Sequence, residues 1–450
     1  MGVAVSELAA LAEKLAKDGI RRVKVGVTDL DGILRGKYIS LEKFAHCDTG
    51  LGFCDVIFGW DMGDVLYDNA KYTGWHTGYP DALARIDHST LRTIPWEPGT
   101  AFVLLDLFTK DGEPLPLSPR QLLRNVLERA RQAGYQARFA AEYEFWFFRE
   151  TPQSLREKHF RELTPLSPGM FGYSVLRASQ NSELVLDVID QLAGFNIPLE
   201  GFHTETGPGV YEAAIEVDEA LAAADKAALF KTAVKEIGAR HGVVPTFMAK
   251  WNADLPGSSG HLHQSLCSAG GANLFHENAC MSSLMRHYIA GLVTFLPEFM
   301  VMMAPAINSY KRTVPGTWAP VNASWGVDTR TTAVRAIPGS AQSTRIELRL
   351  SAADMNPYLA IASSLAAGLE GIERKLEPPE PVANGYAARN APPLPRDLAE
   401  AANRLRQSQT ARKWFGDDFV EHYAGTRDWE VRQYQRAVTD WELARYFEAI

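Results

Sequence analysis

Short runs of the chain alternate hydrophobic and polar residues with a period of two, the pattern of strands that bury one face. Val23, Val25 and Val27 form the first run, Asp31-Gly32 supplies a turn, and a second strand is predicted around Ile33 to Ile39. Before them, Ser6 followed by Leu8, Leu11 and Leu15 up to Gly19 reads as a capped helix. A new unit begins near Asp111-Gly112, where Leu117-Ser118-Pro119 offers a cap and a first helical residue, with helical periodicity to Gly134. Further helices are predicted over Ser182 to Leu192, Asp218 to Ala239, Pro357 to Leu376 and Thr439 to Phe447, while Glu377 to Pro395 reads as a surface connection. This irregular alternation predicts an α+β chain with a small N-terminal β domain, 1–112, and a larger domain, 113–450.

The most apolar stretch, Tyr288 to Ile307, is interrupted by Pro297 and Glu298, which predicts a buried helix rather than a membrane span. Composition narrows the picture further. With 450 residues, 46% hydrophobic and 22% charged, the chain is long enough for two cores. A net charge of −8 with no long basic run argues against nucleic acid or an anionic membrane as partner. Cys47, Cys54, Cys267 and Cys280 form no CxxC pair, so neither a disulfide framework nor a zinc knuckle is indicated and a reducing cytoplasm is expected. No export signal is visible, and the match of Met1-Gly2 and Ser6 to the myristoylation pattern is too short to carry weight.

Candidate chemistry sits on the alternating runs. In Ala141 to Phe147 the period of two puts Glu142 and Glu144 on one face and Tyr143, Phe145 and Phe147 on the other. A solvated edge strand would carry such a pair without consequence, but near an aromatic core two like charges persist only beside a cation. His261 and His263 repeat the device after a Gly257 to Gly260 loop, although such a pair alone is more often structural. Glu205 and Glu212 flank a Thr206 to Gly209 turn that surface hairpins also use, and Arg345, Glu347 and Arg349 alternate on one further segment. Five acids with at least one histidine suit two or more hard divalent cations such as Mg²⁺ or Mn²⁺. Arg312, Arg330, Arg335, Arg345 and Arg349 supply forks for carboxylate or phosphate. No glycine-rich phosphate loop is present, so the residues by themselves predict metal-dependent phosphoryl transfer.

Six ordered segments, AEYEF at 141–145, HTETGPGVYE at 203–212, GSSGHLHQSL at 257–266, NSYKRTVPG at 308–316, TRTTAVRAIP at 329–338 and RIELRLSAADMNPYLA at 345–360, resemble the glutamine synthetase family. The resemblance implies an N-terminal β-grasp domain, a catalytic α+β domain, and a dodecamer of two stacked hexameric rings with active sites between neighbours. It implies one metal on Glu144, Glu205 and Glu212 and a second on Glu142, His261 and Glu347. Arg330 and Arg335 would hold the transferring phosphate, with Glu200, His263, Ser265 and Arg345 near ATP. Arg312, Arg349 and Gly257 would lie at the acid substrate.

Some positions depart from the family pattern. Where glutamine synthetases carry a flap glutamate, this chain has Trp318, and an indole there favours an amine with a carbon body over ammonium. A packing role in a displaced loop is the bland alternative. Asp55 is the candidate for the ammonium-site aspartate, with Asp61 second. Pro256 and Val210 replace family residues near the acid's amino end, and no tyrosine immediately precedes Leu394-Pro395, where enzymes controlled by adenylylation carry one. The implied activity is ATP-dependent joining of glutamate to an organic amine. Ammonia-using glutamine synthesis and a catalytically silent scaffold or regulator are the competing readings.

Overall fold

The computed structural model describes residues 7–278 and 280–450, so the expected cap Ser6 and the Met1-Gly2 pair lie outside the described residues. A first helix, Glu7–Lys17, buries Leu8, Ala12 and Leu15. Strand β1 (Arg22–Thr28) pairs antiparallel with β2 (Leu34–Ser40) across the predicted Asp31-Gly32 turn. With β3 (Leu51–Cys54), β4 (Asp81–Thr93) and β5 (Thr100–Phe108) they form a sheet of order β2-β1-β5-β4-β3, in which β1 runs parallel to β5.

The second sheet is built around the long strand β6 (Gln136–Phe148). Joining it are β7 (Leu199–Thr204), β8 (Val210–Ile215), β9 (Asp218–Glu219), β10 (Val244–Thr246) and β11 (Gly260–Cys267). After a small hairpin of β12 (His276–Glu277) and β13 (Cys280–Met281), it is completed by β14 (Trp325–Val327), β15 (Val334–Ile337) and β16 (Arg345–Leu348). Its order is β14-β15-β16-β11-β6-β8-β7, with β9 and β10 paired to β6.

The two faces of β6 have separate fates. Tyr143 stacks on Phe230 of the helix Ala220–Arg240, with ring centroids 5.7 Å apart, and Phe145 stacks on Phe247, so this face is sealed by aromatic packing. The other face carries Glu142 and Glu144 and stays open to ligand. Where β6 ends, Trp146 and Phe148 pack with Val210, Trp251 and Leu255 in a satellite core beneath the loop that leads to β11.

Buried polar ties join the first sheet to the rest. Arg120 reaches Asp87, Asp106 and Asp225 at 2.6–2.8 Å, Arg427 reaches Asp31 at 2.7 Å, and Asn356 donates to the Asp29 carbonyl at 2.9 Å. Losing one partner of such a set leaves an uncompensated buried charge, so the ties fix the relative placement of the two sheets.

The mixture of helices with two mixed sheets is the α+β class read from the sequence, and element ends differ in detail. Asp218 and Glu219 form a strand, and their helix begins at Ala220. The helix from Pro357 stops at Glu373 rather than Leu376. Pro297 does not break its helix, which runs Ser283–Phe299 before tightening into a 3-10 turn over Met300–Met302, because a proline so near the end forfeits little of the hydrogen-bond ladder. Among the described residues no helix is long and apolar enough to cross a membrane.

Candidate active site

Strand register assembles the site. Glu144 stands opposite Glu212 on β8, which in turn stands opposite His203 on β7. Glu142 faces His261 on β11, His263 faces Glu347 on β16, and Glu347 faces Arg335 on β15. Because directly opposite residues share a face of a sheet, acids and imidazoles from five strands collect on one surface. The period of two seen in the sequence is therefore the period that builds the site.

The distances form two clusters. His261 Nδ1 lies 3.0 Å from Glu142 and 3.2 Å from Glu347, while His263 Nε2 lies 3.5 Å from Glu142. Glu142, His263 and Glu347 each offer one donor atom within 4.8 Å of the others. His203, Glu205 and Glu212 form a second such group, with His203 Nε2 at 3.0 Å from Glu212. Both imidazoles of the His-Leu-His run thus gather at Glu142, and His203, missed in the sequence, joins the second cluster. It lies two residues before Glu205, the spacing that singled out the other pairs. Glu144 accepts the Ser259 N–H at 2.6 Å within the same cavity.

The electrostatics fit divalent cations. Burial raises the Glu144 carboxyl above its usual range, with Arg312 opposing and Glu205 adding repulsion. Burial likewise raises Glu212 against its hydrogen bond to His203, with Glu142 and Glu144 repelling it. Against the cost of burial, hydrogen bonds to His261 and His263 hold Glu142 well below the carboxylate range. Burial and the Arg349 charge push His261 down, towards the neutral form that can ligate a metal. Buried carboxylates that repel one another beside imidazoles are a donor set that Mg²⁺ or Mn²⁺ would satisfy.

These groups line a cavity of about 720 Å³, shared by Glu142, Glu144, Glu205, Glu212, His261, Gly257, Arg312, Trp318, Arg330 and Arg349. Pro256 and Val210, two departures from the family pattern, also line it. At Gly257 a Cβ would meet the Ala249 carbonyl at 2.7 Å and Arg312 Cγ at 2.8 Å, so only glycine lets the loop close over Arg312. Arg312 is buried and donates to the Leu350 and Arg349 carbonyls at 3.0 and 3.1 Å.

Four predicted residues adjoin the lining. Glu347 is buried between Arg335, at 2.8 Å, and Arg349, and Arg345 Nε donates to His263 Nδ1 at 3.1 Å. Glu200, exposed on β7, and Ser265, on β11, lie outside the lining. So does Asp55, buried at the start of a short 3-10 helix, Asp55–Phe58, with one carboxylate oxygen unpartnered. Asp61 is engaged in its own turn, accepting from Gly63 and Val65 backbone N–H groups and from the Trp429 indole. Met170, Tyr173 and Lys250 also line the cavity and were not singled out in the sequence.

The family model of the glutamine synthetase catalytic domain matches residues 116–446. The chain belongs to the glutamine synthetase family. It is accordingly a carbon–nitrogen ligase of that family. It is 48% identical over 438 residues to type-1 glutamine synthetase 2 of Dictyostelium discoideum, covering 95% of this chain and 84% of the relative. It is 42% identical over 445 residues to a glutamate–isopropylamine ligase of a Pseudomonas species, covering 97% of each. The solved structure of a GmaS–ADP complex superposes with a TM-score of 0.85 at 27% identity, over 98% of this chain and 99% of that one. Trp318 lines the cavity, 67% exposed, with its backbone left-handed at φ 61°.

Proposed function

We propose that this enzyme joins the γ-carboxylate of glutamate to an organic amine, with conversion of ATP to ADP and phosphate. The observation that carries the reading is the meeting, in the lining of one cavity, of carboxylates from two acid-imidazole clusters and three arginines with an indole where the family's ammonia-using members carry an acid. Similarity to a glutamate–isopropylamine ligase over nearly the whole chain supports it.

In the first step a γ-carboxylate oxygen attacks the terminal phosphorus of ATP, and the bond to ADP breaks, leaving an acyl phosphate. In the second, the nitrogen lone pair of the amine attacks the acyl carbon, phosphate leaves, and the nitrogen sheds a proton. Arg312 and Arg349, with Gly257 packed on the stem of Arg312, hold the acid's carboxylates, while Arg330 and Arg335 hold the phosphoryl oxygens. Glu142, Glu347 and His261 or His263 would hold one metal ion, and Glu205 and Glu212 with Glu144 or His203 another. Bound there, Mg²⁺ or Mn²⁺ supplies positive charge that offsets repulsion between the reacting anions. Glu200, His263, Ser265 and Arg345 belong to the nucleotide side of this reading.

The same reading makes the enzyme a cytoplasmic homo-oligomer, a dodecamer of two hexameric rings, in which Asp55 of a neighbouring copy completes the amine end and takes its proton. It also divides the chain into a β-grasp domain, 1–112, and a catalytic domain, 113–450. The family match beginning at residue 116 and the separate five-stranded sheet support that division.

Phosphate release from ATP with glutamate and Mg²⁺, measured across ammonia and organic amines with the amide identified by mass spectrometry, tests the reading. Stimulation by an organic amine with the matching amide is expected. Stimulation by ammonia alone would replace it with glutamine synthesis, the activity that the name of the Dictyostelium relative favours, and no turnover with any nucleophile would favour a silent paralogue.

A further inference from the structure

Three large apolar side chains line the cavity while remaining half or more exposed: Met170 at 50%, Tyr173 at 66% and Trp318 at 67%. Soluble proteins rarely leave such a group around a concave site uncovered, and at the amine end proposed above the neighbouring copy and the amine's carbon body together would cover it. Both aromatic residues also hold left-handed backbone, φ 55° at Tyr173 and 61° at Trp318, a conformation that persists in a bulky residue only where surrounding contacts impose it.

Those contacts are present and lead back to the chemistry. The Tyr173 N–H donates to the Thr204 carbonyl at 2.7 Å, and the Thr204 hydroxyl donates to the Phe171 carbonyl at 3.0 Å, fixing this segment to the end of β7. The Tyr173 ring stacks on His203 at 4.3 Å, and His203 is itself hydrogen-bonded to Glu212. On the other side the Thr317 hydroxyl donates to the Arg312 and Val314 carbonyls at 3.2 and 2.7 Å, anchoring the loop that presents Trp318 to the arginine at the acid end. The apolar rim is thus tied to both halves of the reacting centre.

Its charge is equally informative. Apart from Glu142, Glu144, Glu205 and Glu212, Asp254 is the one carboxylate in the lining among the described residues, and it is exposed to solvent. Glu142, Glu144, Glu205 and Glu212 are the acids that would hold metal, and Lys250, in the same lining, would repel a second ammonium far from the reacting nitrogen.

Resting on the ligase reading above, we infer that Met170, Tyr173 and Trp318 form a subsite for the carbon body of a monoamine. The substrate class is a primary alkylamine with about three to five apolar carbons, selected over ammonia and over diamines of the same length.

The test compares kcat/KM of the full-length enzyme, with glutamate, ATP and Mg²⁺, for ammonia, methylamine, propylamine, butylamine and putrescine. Hydroxylamine, which reports acyl transfer as a hydroxamate without needing a carbon body, is the reference. The expected result is a rise from methylamine to butylamine and at least about a tenfold advantage of butylamine over putrescine, the scale on which apolar pockets discriminate. Met170→Ala and Trp318→Ala, both at exposed positions, should each lower the butylamine-to-hydroxylamine ratio about tenfold. A flat series, putrescine equal to butylamine, or unaltered ratios in both variants overturns the subsite while hydroxamate formation leaves the ligase reading standing. Absence of hydroxamate and of every amide removes both.

Discussion

The cavity has two walls made in different ways. The wall of acids and imidazoles stands on strands, where Glu142, Glu212, His261 and Glu347 are placed by cross-strand register and none can move without disturbing its neighbours. The wall of Met170, Tyr173 and Trp318 stands on segments that are neither helix nor strand and leaves its side chains exposed. Chemistry common to every substrate of such an enzyme needs donors fixed to fractions of an ångström, which a sheet supplies. Choice among amines needs only a surface of suitable shape, and a loop can alter that surface at little cost to the fold.

The largest effects should come from the strand-borne wall. Glu347 is about 1% exposed and contacts Arg335, Arg349 and His261. Glu347→Ala should lower hydroxamate formation at least several-hundredfold, on the scale of losing a group that stabilises transition-state charge. It should also destabilise the protein by about 3–5 kcal/mol, because two guanidiniums lose a buried partner. Initial rates and a thermal melt read both outcomes, and near-native turnover would remove Glu347 from the reacting centre. Next in size is the response to metal alone: Mn²⁺ at a hundred times its dissociation constant should stabilise the folded enzyme by about 2.7 kcal/mol. Glu212→Ala should reduce that shift in a melt without nucleotide, and an unchanged shift would dissociate Glu212 from metal binding.

The same contrast governs what could be read from the sequence. Glu142, Glu144, His261, His263 and Glu347 were legible because a strand converts spacing directly into facing, so an alternation in one dimension becomes a surface in three. His203 carries the same signal, standing two residues before Glu205, but its run also leads into the Thr206 to Gly209 turn, which blurs the alternation. Met170 and Tyr173 had no periodicity to betray them. The approach of Tyr173 to the cavity depends on left-handed backbone and on hydrogen bonds of Tyr173 and Ser174 to Thr204, about thirty residues away, and single-chain spacing encodes neither. The pairing of the sheets was beyond reach for a related reason: the ties from Arg427 to Asp31 and from Asn356 to Asp29 span most of the chain.

Between the two walls lies Gly257, on a loop yet packed like a core residue. A methyl group there would push against the Ala249 carbonyl and displace Arg312. Gly257→Ala should therefore cost about 1–3 kcal/mol, the range for overpacking. Expressed at the acid site, this is roughly a tenfold rise in the KM for glutamate, with a smaller change in KM for the amine. Steady-state titration of both substrates distinguishes this from general damage, since equal rises would mean that the loop does not act through Arg312.

The smallest expected stability effect gives the sharpest contrast. A left-handed backbone costs a non-glycine residue about 1–2 kcal/mol, and Trp318 adopts one while burying only a third of its side chain. Trp318→Gly relieves that strain and loses little packing, but the greater freedom of glycine in the unfolded chain takes back about 0.5–1 kcal/mol. The opposing terms nearly cancel, so Tm should stay within about two degrees of the parent while selectivity for alkylamines over hydroxylamine falls. A drop of several degrees would show that the indole holds the loop in place, making Trp318 a packing residue and erasing the distinction between the walls. An unchanged Tm with lost selectivity would mean that the strain at Trp318 is maintained for the substrate rather than for the fold.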